Sequence, residues 1–435
     1  MKNPIKIVFN WIGPNGPIPN AELPNILNFA AVADGALTTS GKFWTDDVYW
    51  KLFKDKEPFC LGSVCDIKDQ EVFIYPFSLV WRTIFEFYFM PNNGIFEFSL
   101  TSHSIINKIK NQNGYILLES GAEAWVNHLQ LNSIHNYFNC YKIPLNKIIY
   151  LTGCMNAEDV YNDWCTNNNI ETSSGCRIHL ISYPSSRYNI ASNHMSNFAE
   201  PNYDAETVPE KLFLCWNRRL RPHRSILAVA LDSLGLVDRS YYSMGLVDPE
   251  FNSILFISSI PDCLNLYNLT TENLESFASK LPLLIDGATD INEMCMDILG
   301  NAHKFYQNSL ISIVTETNWD VPQLTSTEKS FKPFKNKHPF IIVGVNGALK
   351  SMRKLGFQTF SEFWDETYDE IPDSHLRLQA IIKVCEEIGK WDNEKILCFK
   401  HKVKPILENN YQLLKNSSNA DVVKQIEEII TNTQL

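Results

Sequence analysis

Short apolar runs alternate with helix-like stretches along much of this chain, and this alternation limits the fold more than any other feature. In the first half, the runs Tyr115–Leu118, Lys147–Leu151 and Arg177–Ile181 have the length and composition of buried strands. Apolar residues at helical spacing lie between them, over Ala122–Phe138 and Ala157–Cys165. Strands joined by helices make right-handed crossovers and become parallel neighbours in one sheet. The pattern therefore predicts an α/β fold.

The alternation continues in the second half of the chain. Strands are predicted at Lys211–Trp216, Leu310–Val314 and Pro339–Val343. The predicted helices of this half are Pro222–Leu234, Glu272–Lys280, Ile291–Phe305, one that starts at Thr325, and Ala348–Leu355. Proline suits the first position of a helix and glycine the position after its end, as at Pro222 and Gly356. The chain beyond Asp373 is predicted to be entirely helical.

A polar, acidic stretch, Asn197–Glu210, separates the two halves and contains Pro201 and Pro209. Such a stretch is typical of a linker. With 435 residues and 45% hydrophobic residues, the chain is long enough for two domains with their own cores. We therefore expect two Rossmann-like α/β domains, residues 1–205 and 206–372, with a ligand cleft between them. The helices of residues 373–435 should pack on these domains.

Composition excludes several classes of protein. The net charge of −11 disfavours a surface built to bind nucleic acid, which needs a basic excess. The 11 cysteines include no Cys-X-X-Cys pair, as expected for reduced thiols in a reducing compartment. The first residues lack the apolar core of a signal peptide, and no run reaches the roughly 18 apolar residues of a membrane span. A cytoplasmic protein is predicted, and its richness in Asn, Lys and Ile suggests a bacterial or viral AT-rich genome.

The segment Thr325–Lys329 has the features of an anion site. Thr325 and Glu328 fit the spacing of a capping box, so a helix is predicted to begin there. This helix follows a predicted strand, which places its first N–H groups at the carboxyl edge of the sheet, where such groups attract anions. Lys329 adds positive charge, and Lys332 and Lys335 follow within two turns. Lysines near a helix start oppose the helix dipole, so a bound anion would compensate them. The alternative is a capped surface helix with a solvated basic face.

A second basic cluster lies at another predicted strand-to-helix junction. Its arginines are Arg218, Arg219, Arg221 and Arg224. Guanidinium groups bind phosphate oxygens in pairs, so this loop is suited to a diphosphate. Taken alone, the loop also fits a solvated basic turn. Two basic loops at helix starts of the same predicted sheet favour a phosphate-binding rim.

Common phosphate-binding and metal-binding motifs are absent from the sequence. It contains no Walker A loop, no Gly-X-Gly-X-X-Gly and no Asp-X-Asp triplet, and no His or Cys spacing is typical of a metal site. Lys, Arg and helix N-termini are left to neutralise a phosphate. This combination suits a metal-free site from which a nucleoside diphosphate departs, with no cofactor.

The segment Ser309–Gly344 resembles the donor-binding region of fucosyltransferase-type glycosyltransferases. The order of Thr327-Glu328-Lys329 and then His338–Gly344 matches that region. The continuation Leu355–Phe360 is similar to uncharacterised phage and giant-virus proteins suspected of sugar transfer. Lys332-Pro333-Phe334 departs from the pattern, which has small and apolar residues there. No acceptor motif of that family is found in the first half.

The resemblance implies the GT-B fold, with two Rossmann-like domains and the sugar donor on the C-terminal one. Residues 206–372 would then bind the donor, and residues 1–205 would face the acceptor. Carried over to this chain, Glu328 would contact the donor ribose and Lys329 the diphosphate. Glu316 would lie near the donor.

A transferase also needs a group that takes the proton of the acceptor hydroxyl. The best candidates are Glu119 and Glu123, where a predicted strand ends and a helix begins. The alternative for each is an acid that stabilises the first turn of a helix. Asp66 and His103 rank lower. Among Trp44, Trp50 and Trp125, only Trp44 is kept as a candidate for stacking on a sugar, because tryptophan is more often a core residue.

The leading hypothesis is a metal-independent glycosyltransferase that moves a sugar from a nucleotide-diphosphate donor, with GDP-fucose as one candidate, to a hydroxyl. The predicted donor-binding residues are Arg218, Arg219, Arg224, Glu316, Thr327, Glu328, Lys329 and Lys332. The alternative is a non-catalytic protein that binds a nucleotide or a phosphoglycan. The sequence leaves the acceptor open among a glycan, a protein and a modified nucleic-acid base.

Overall fold

The chain divides into two compact units in a computed structural model. The first unit consists of residues 1–185 together with 418–435, and the second of residues 186–417. The structure describes residues 4–9, 11–13, 16–18, 52–53, 57–63, 67–68, 70–78, 103–121, 126–171, 175–195, 200–217, 220–245, 261–285 and 302–433.

A parallel sheet forms the centre of the first unit. The strands described there are β1 (Ile5–Phe9), β2 (Trp11–Gly13), β3 (Gly16–Ile18), β4 (Phe59–Ser63), β5 (Phe73–Ser78), β6 (Gly114–Ser120), β7 (Ile148–Thr152) and β8 (His179–Ser182). The sheet has the order β4-β1-β5-β6-β7-β8, and all its pairs are parallel. Strands β2 and β3 form a separate antiparallel hairpin. Every residue of β6 and β7 is buried, as expected for strands covered on both faces.

Helices follow these strands, and two of them, His128–Cys140 and Ala157–Asn167, lie between strands as predicted. The helices are α1 (His103–Asn111), α2 (His128–Cys140) and α3 (Ala157–Asn167), and α4 (Ser185–Asn189) follows β8. Helix α2 begins later than the predicted Ala122, because Asn127 caps it. The Asn127 side chain accepts from Gln130 N at 2.9 Å, and the Gln130 side chain accepts from Asn127 N at 3.0 Å. This reciprocal pair satisfies two N–H groups at the helix start.

The second unit is built around a four-stranded parallel sheet. Its strands are β9 (Lys211–Trp216), β10 (Ser240–Ser243), β11 (Ser309–Thr315) and β12 (Phe340–Val343), in the order β10-β9-β11-β12. Parallel pairing places the carboxyl ends of these strands at one edge. The next residues of the chain after β9 and β11 therefore meet at that edge.

Helices of the second unit follow its strands and then continue to the end of the chain. They are α5 (Pro222–Ser233), α6 (Thr271–Ala278), α7 (His303–Gln307), α8 (Glu328–Lys335), α9 (Ala348–Lys354), α10 (Ser374–Gly389) and α11 (Asn393–Lys415). Pro222 occupies the first turn of α5, as predicted. Most of the helix predicted at Ile291–Phe305 lies outside the described residues, and α7 begins only at His303.

The last helix returns to the first unit. Helix α12 (Ala420–Thr433) packs against β8, and the main-chain oxygen of Ile430 accepts a hydrogen bond from the Tyr115 hydroxyl at 3.4 Å. Val422, Val423 and Ile426 bury its apolar face. The C-terminal helices were predicted as one segment, but they are shared between the two units.

The segment predicted as a linker packs on the second unit. Lys337 Nζ contacts Glu200 Oε1 at 2.5 Å, and Lys400 Nζ donates to the Thr207 main-chain oxygen at 2.6 Å. Just before this segment, a π-helical turn over Ile190–Met195 packs against α8 and α11. These contacts place the division of the chain at residue 185 rather than near residue 205.

The predicted α/β fold with two Rossmann-like units and a helical C-terminal part is confirmed. Parallel strands alternate with helices in each unit, and the strands predicted around Tyr115, Ile149, Leu212, Ile311 and Ile341 are all present.

Candidate functional site

The starts of α5 and α8 lie at the carboxyl edge of the second sheet. Helix α5 follows β9, and α8 follows its neighbour β11. Loops at this edge are where open α/β sheets bind their ligands, because helix N-termini converge there. The two basic loops predicted from the sequence are therefore brought to the same edge of one sheet.

Glu316, which follows β11 directly, holds the start of α8. Its side-chain oxygens accept from Thr327 N at 3.0 Å, from Thr327 Oγ1 at 2.7 Å and from Ser330 Oγ at 2.6 Å. Glu316 is only 2% exposed. A carboxylate at a helix N-terminus satisfies free N–H groups and is stabilised by the helix dipole. The start of α8 therefore already carries an anion supplied by the chain itself.

The predicted capping box of Thr325 and Glu328 is wrong. Thr327 is the capping residue, and its hydroxyl accepts from Lys329 N at 3.3 Å. The shift follows from tertiary structure, because the Glu316 carboxylate draws the Thr327 N–H and hydroxyl towards β11. Helix α8 has only eight residues, so Lys332 and Lys335 lie in its last turn, where positive charge favours the dipole. These two lysines therefore need no bound anion to compensate them.

The main chain at the end of β11 holds the start of α5. The Glu316 main-chain oxygen accepts from His223 Nε2 at 2.9 Å and from Arg224 Nη2 at 3.2 Å. Arg224 Nη2 also donates to the Thr315 main-chain oxygen at 3.0 Å. Arg224 is 4% exposed, and burial together with the nearby charge of Arg221 lowers its pKa to about 10. In this structure the Arg224 guanidinium anchors β11, and its contact with a donor stays a prediction.

His223 is a neutral, buried imidazole beside Trp319. Burial, with a smaller effect from the charge of Arg224, lowers the pKa of His223 to about 3. Because Nε2 donates to the Glu316 main-chain oxygen, the neutral ring keeps an acceptor at Nδ1, and that atom has no partner among the described residues. The ring stacks on Trp319 with centroids 5.3 Å apart and planes at 26°. His223 therefore also fixes the loop that follows β11.

The start of α5 is positively charged and has no side-chain cap. Its N-cap residue, Arg221, makes no capping hydrogen bond. Arg221 Nε and the buried Ser225 Oγ have no hydrogen-bond partner within the described parts of the chain. The first N–H groups of an α-helix have no partner inside the helix, so this start is suited to an anion. Arg218 and Arg219, which were predicted to bind the donor, lie outside the described residues.

Glu328 and Lys329 form the first turn of α8. Lys329 Nζ lies 3.0 Å from Glu328 Oε1 and 3.3 Å from Thr327 Oγ1. Burial opposes ionisation of Glu328, but Lys329 and Lys332 outweigh it and lower its pKa to about 2. Glu328 is therefore a carboxylate at neutral pH, able to accept hydrogen bonds from hydroxyls but too weak a base to remove their protons. Lys332 itself is buried, at 6% exposure.

Asn217 links the ends of three strands near these helix starts, and this role was not predicted from the sequence. Its Oδ1 accepts from Thr315 Oγ1 at 2.5 Å, and its Nδ2 donates to Cys215 Sγ at 3.1 Å. Its N–H donates to Ser243 Oγ at 3.0 Å. Asn217 is fully buried. A polar residue directly after an apolar strand was the one available signal, and it does not reveal these partners.

Arg377 on α10, a second residue that the sequence did not reveal, fixes the loops at this edge. Its Nε donates to the Gly344 main-chain oxygen at 3.0 Å, and Nη1 donates to that of Ile371 at 2.7 Å. Nη2 donates to the Trp319 main-chain oxygen. The loops after β11 and β12 are therefore held by one buried guanidinium.

In the first unit, Glu119 is buried near the carboxyl end of β6. It is 1% exposed, and its Oε1 accepts from Gly121 N at 2.6 Å. A side chain at Gly121 would meet Tyr183 Cδ1 at 2.6 Å and Glu119 Oε1 at 2.8 Å, so the turn after β6 requires glycine. The structure gives Glu119 a contact that stabilises this turn, and its role as a general base stays a prediction.

Other candidates from the sequence fall outside what the structure describes. They are Glu123, Asp66, Trp44, Trp50, Trp125 and the side chain of His103. Within the described ranges, no group of three or more His, Cys, Asp and Glu side chains is arranged to hold a metal ion. No helix in the same ranges is both long and apolar enough to cross a membrane.

Comparison with known proteins gives a fold-level likeness alone. No protein-family profile matches the chain, and no curated protein sequence matches it. The similar solved structures include a UDP-forming α,α-trehalose-phosphate synthase from Burkholderia xenovorans, with 7% identity and a TM-score of 0.44 over 85% of this chain and 75% of that one. The α,α-trehalose-phosphate synthase (UDP-forming) from Burkholderia vietnamiensis has 9% identity and a TM-score of 0.40 over 82% and 75%. At these values the likeness says nothing about activity.

Proposed function

We propose that this chain is a metal-independent glycosyltransferase that takes a sugar from a nucleotide-diphosphate donor. One observation carries the proposal: two helix starts, of α5 and α8, meet at the carboxyl edge of one parallel sheet through a shared residue, Glu316. Both starts carry cations, Arg221 on one and Lys329 on the other. Such an edge is suited to binding a diphosphate and to stabilising it as a leaving group.

The diphosphate binds at the start of α5 in this proposal. The N-cap residue of that start, Arg221, makes no side-chain cap, and its charge adds to burial in lowering the pKa of the neighbouring Arg224. A bound anion would relieve the repulsion between these two charges. At the start of α8, by contrast, the Glu316 carboxylate already accepts from the Thr327 N–H and hydroxyl. The sequence predicted a phosphate-binding rim made by both basic loops, and the proposal puts the diphosphate at the α5 side of that rim.

Side chains of α8 contact the rest of the donor. Glu328, ionised and half-buried, accepts hydrogen bonds from the ribose hydroxyls, the role that the resemblance to fucosyltransferase-type enzymes implies for it. Lys329 is the second cation that the proposal assigns to the diphosphate. Its Nζ needs only to leave Thr327 Oγ1 and Glu328 Oε1 to contact it.

The chemical step requires little from the donor site beyond charge. The acceptor oxygen bonds to the anomeric carbon, the bond from that carbon to the diphosphate oxygen breaks, and the electron pair stays on the diphosphate. Arg221, Lys329 and the start of α5 stabilise the charge that develops there. A base on the acceptor side takes the hydroxyl proton. We keep Glu119 and Glu123 in the first unit as the candidates for that base.

The finer identity of the reaction rests on resemblance alone. Thr327-Glu328-Lys329 and the strand after it favour a GDP-fucose-like donor and the GT-B type of transferase, in which residues 206–372 bind the donor and residues 1–205 face the acceptor. The acceptor is a hydroxyl of a glycan, a protein or a modified nucleic-acid base. We place the reaction in the cytoplasm.

A panel of nucleotide sugars tests this function. Incubation with UDP-, GDP-, dTDP- and CMP-linked sugars, without acceptor, should release free nucleotide slowly from the preferred donor, because water replaces the acceptor. The Arg221→Ala variant should lose this release, whereas Lys390→Ala, at the exposed lysine that follows α10, should keep it. Tight binding of a nucleotide without turnover, even with a range of acceptors, would favour the non-catalytic alternative. Binding of none of them would reject the transferase and would leave only the phosphoglycan-binding form of the alternative.

A further inference from the structure

Glu316 contacts two helix starts, one through its main chain and the other through its side chain. Its main-chain oxygen accepts from His223 Nε2 at 2.9 Å and Arg224 Nη2 at 3.2 Å on α5. Its side-chain oxygens accept from Thr327 and Ser330 at 2.6 to 3.0 Å on α8. Its own N–H donates to the Val343 main-chain oxygen at 2.9 Å, which continues the pairing of β11 with β12.

We propose that Glu316 is the positioning residue of the donor site, setting the first turn of α5 and the first turn of α8 at a fixed spacing. The inference rests on the proposed function. Glu316 touches neither the sugar nor the diphosphate in this arrangement. It acts through Thr327, whose position determines where Glu328 and Lys329 point, and through His223 and Arg224.

Burial explains why this contact is rigid. Glu316 is 2% exposed, Ser330 is 1% exposed and His223 is 1% exposed, so water does not compete for their hydrogen bonds. Charge-assisted hydrogen bonds away from water are stronger than those between neutral groups. Three such bonds to one carboxylate hold the start of α8 in a single geometry. If the spacing of the two helix starts is already fixed in the unliganded protein, no entropy is lost in ordering them when the ligand binds.

Whether a variant binds the nucleotide more tightly or more weakly distinguishes a positioning role of Glu316 from an effect of its charge alone. The Glu316→Gln variant removes a negative charge from the neighbourhood of an anion and keeps the side-chain volume. If Glu316 acted only through its charge, this change would tighten the binding of a nucleoside diphosphate. If it only supported the fold, the thermal midpoint would fall and the affinity of the folded protein would stay the same. Positioning predicts weaker binding.

A pair of variants at Thr327 tests the same contact without changing any charge. Thr327→Val removes the hydroxyl that donates to Glu316 Oε2 at 2.7 Å, and Thr327→Ser keeps it. Valine matches threonine in shape, so only the hydrogen bonds of the hydroxyl are lost. This pair keeps the inference testable if Glu316→Gln does not fold. Glu387→Gln, at an exposed carboxylate on α10, is the control for loss of one negative charge.

The experiment measures the affinity of the full-length chain for UDP and GDP by titration calorimetry, with thermal midpoints in parallel. Glu316→Gln and Thr327→Val should each weaken binding by about tenfold or more, the size expected when a charge-assisted contact is lost. Thr327→Ser and Glu387→Gln should bind like the wild type. With the preferred donor, the loss should appear in kcat as well as in KM, because the leaving group is misplaced.

Two results would overturn the inference, and they differ. If the wild type binds UDP or GDP and the two variants bind as tightly or more tightly, Glu316 is not a positioning residue and the proposed function still holds. If the wild type binds neither nucleotide and releases nucleotide from no sugar of the panel, the proposed function fails and the inference fails with it.

Discussion

Replacing Lys329 with alanine separates binding from stability at the candidate donor site. Lys329 Nζ contacts Glu328 Oε1 at 3.0 Å and Thr327 Oγ1 at 3.3 Å, and its side chain is 25% exposed. Its removal deletes one local ion pair from the empty protein. In the liganded protein it deletes a cation that neutralises the diphosphate. We therefore expect a large loss of affinity and a small loss of stability.

The two magnitudes can be set against each other. An ion pair in contact with solvent contributes about 0.2–1 kcal/mol to stability. For a unit of this size, 1 kcal/mol shifts the thermal midpoint by about 2–4 °C, so the midpoint of empty Lys329→Ala should fall by no more than about 4 °C. A hydrogen bond to a charged group contributes about 1.5–3 kcal/mol to binding. This corresponds to about a 10- to 150-fold rise in the Kd for a nucleoside diphosphate.

Titration calorimetry with UDP and GDP, together with thermal melts of the empty protein, measures both quantities. Lys390→Ala is the matched control, because Lys390 is 58% exposed and pairs with Glu386 and Glu387 near the C-terminal end of α10. A midpoint that falls by 10 °C or more would show that Lys329 is structural. Unchanged affinity would show that Lys329 does not contact the ligand, and the reasoning from the start of α8 would then be refuted.

Three further outcomes are expected. The pKa of Glu328 is lowered from 4.5 to about 2, so its stabilising effect is present above pH 4.5 and is lost as the pH falls towards 2; urea unfolding should show Glu328→Gln less stable than wild type at pH 6, with a smaller difference at pH 3, and a constant difference would contradict the pKa shift. Gly121→Ala should destabilise the first unit by about 1–3 kcal/mol, because the new Cβ meets Tyr183 and Glu119, whereas Gly175→Ala has open space and should behave like wild type in the same assay. Nucleotide release should survive a chelator, and activity that is lost with EDTA and restored by manganese would overturn the metal-free proposal.

The sequence predicted the strands well, because their signal is local. Ile148–Leu151 is apolar throughout and Leu310–Val314 is apolar except for Ser312, a composition typical of strands buried on both faces of a sheet. Pro222 marked the start of α5 correctly for an equally local reason, since proline lacks the N–H that a first helical residue does not use. The starts of α5 and α8 were also predicted at the correct edge of the sheet, because the chain after parallel strands β9 and β11 must leave the sheet at their carboxyl ends.

Details of the site were not accessible from the sequence, since they depend on residues far apart in the chain. His223 and Glu316 are 93 positions apart, and no local pattern shows that one donates to the other. Arginine is usually a surface residue, but folding buries Arg224 against the main-chain oxygen of Thr315 at the end of β11. The return of α12 to the first unit depends in the same way on distant packing against β8.

Local periodicity and turn residues by themselves determined that this chain is an α/β protein with basic helix starts at the edge of a parallel sheet. The tertiary structure decided which acceptors each of those helix starts meets. The buried carboxylate of Glu316 accepts from Thr327 at the start of α8, where Thr327 is the cap, whereas the N-cap residue of α5, Arg221, makes no side-chain capping bond among the described residues. The physical reason is that a helix N-terminus can be satisfied by any acceptor that folding brings to it, and the sequence near the helix does not show which acceptor arrives.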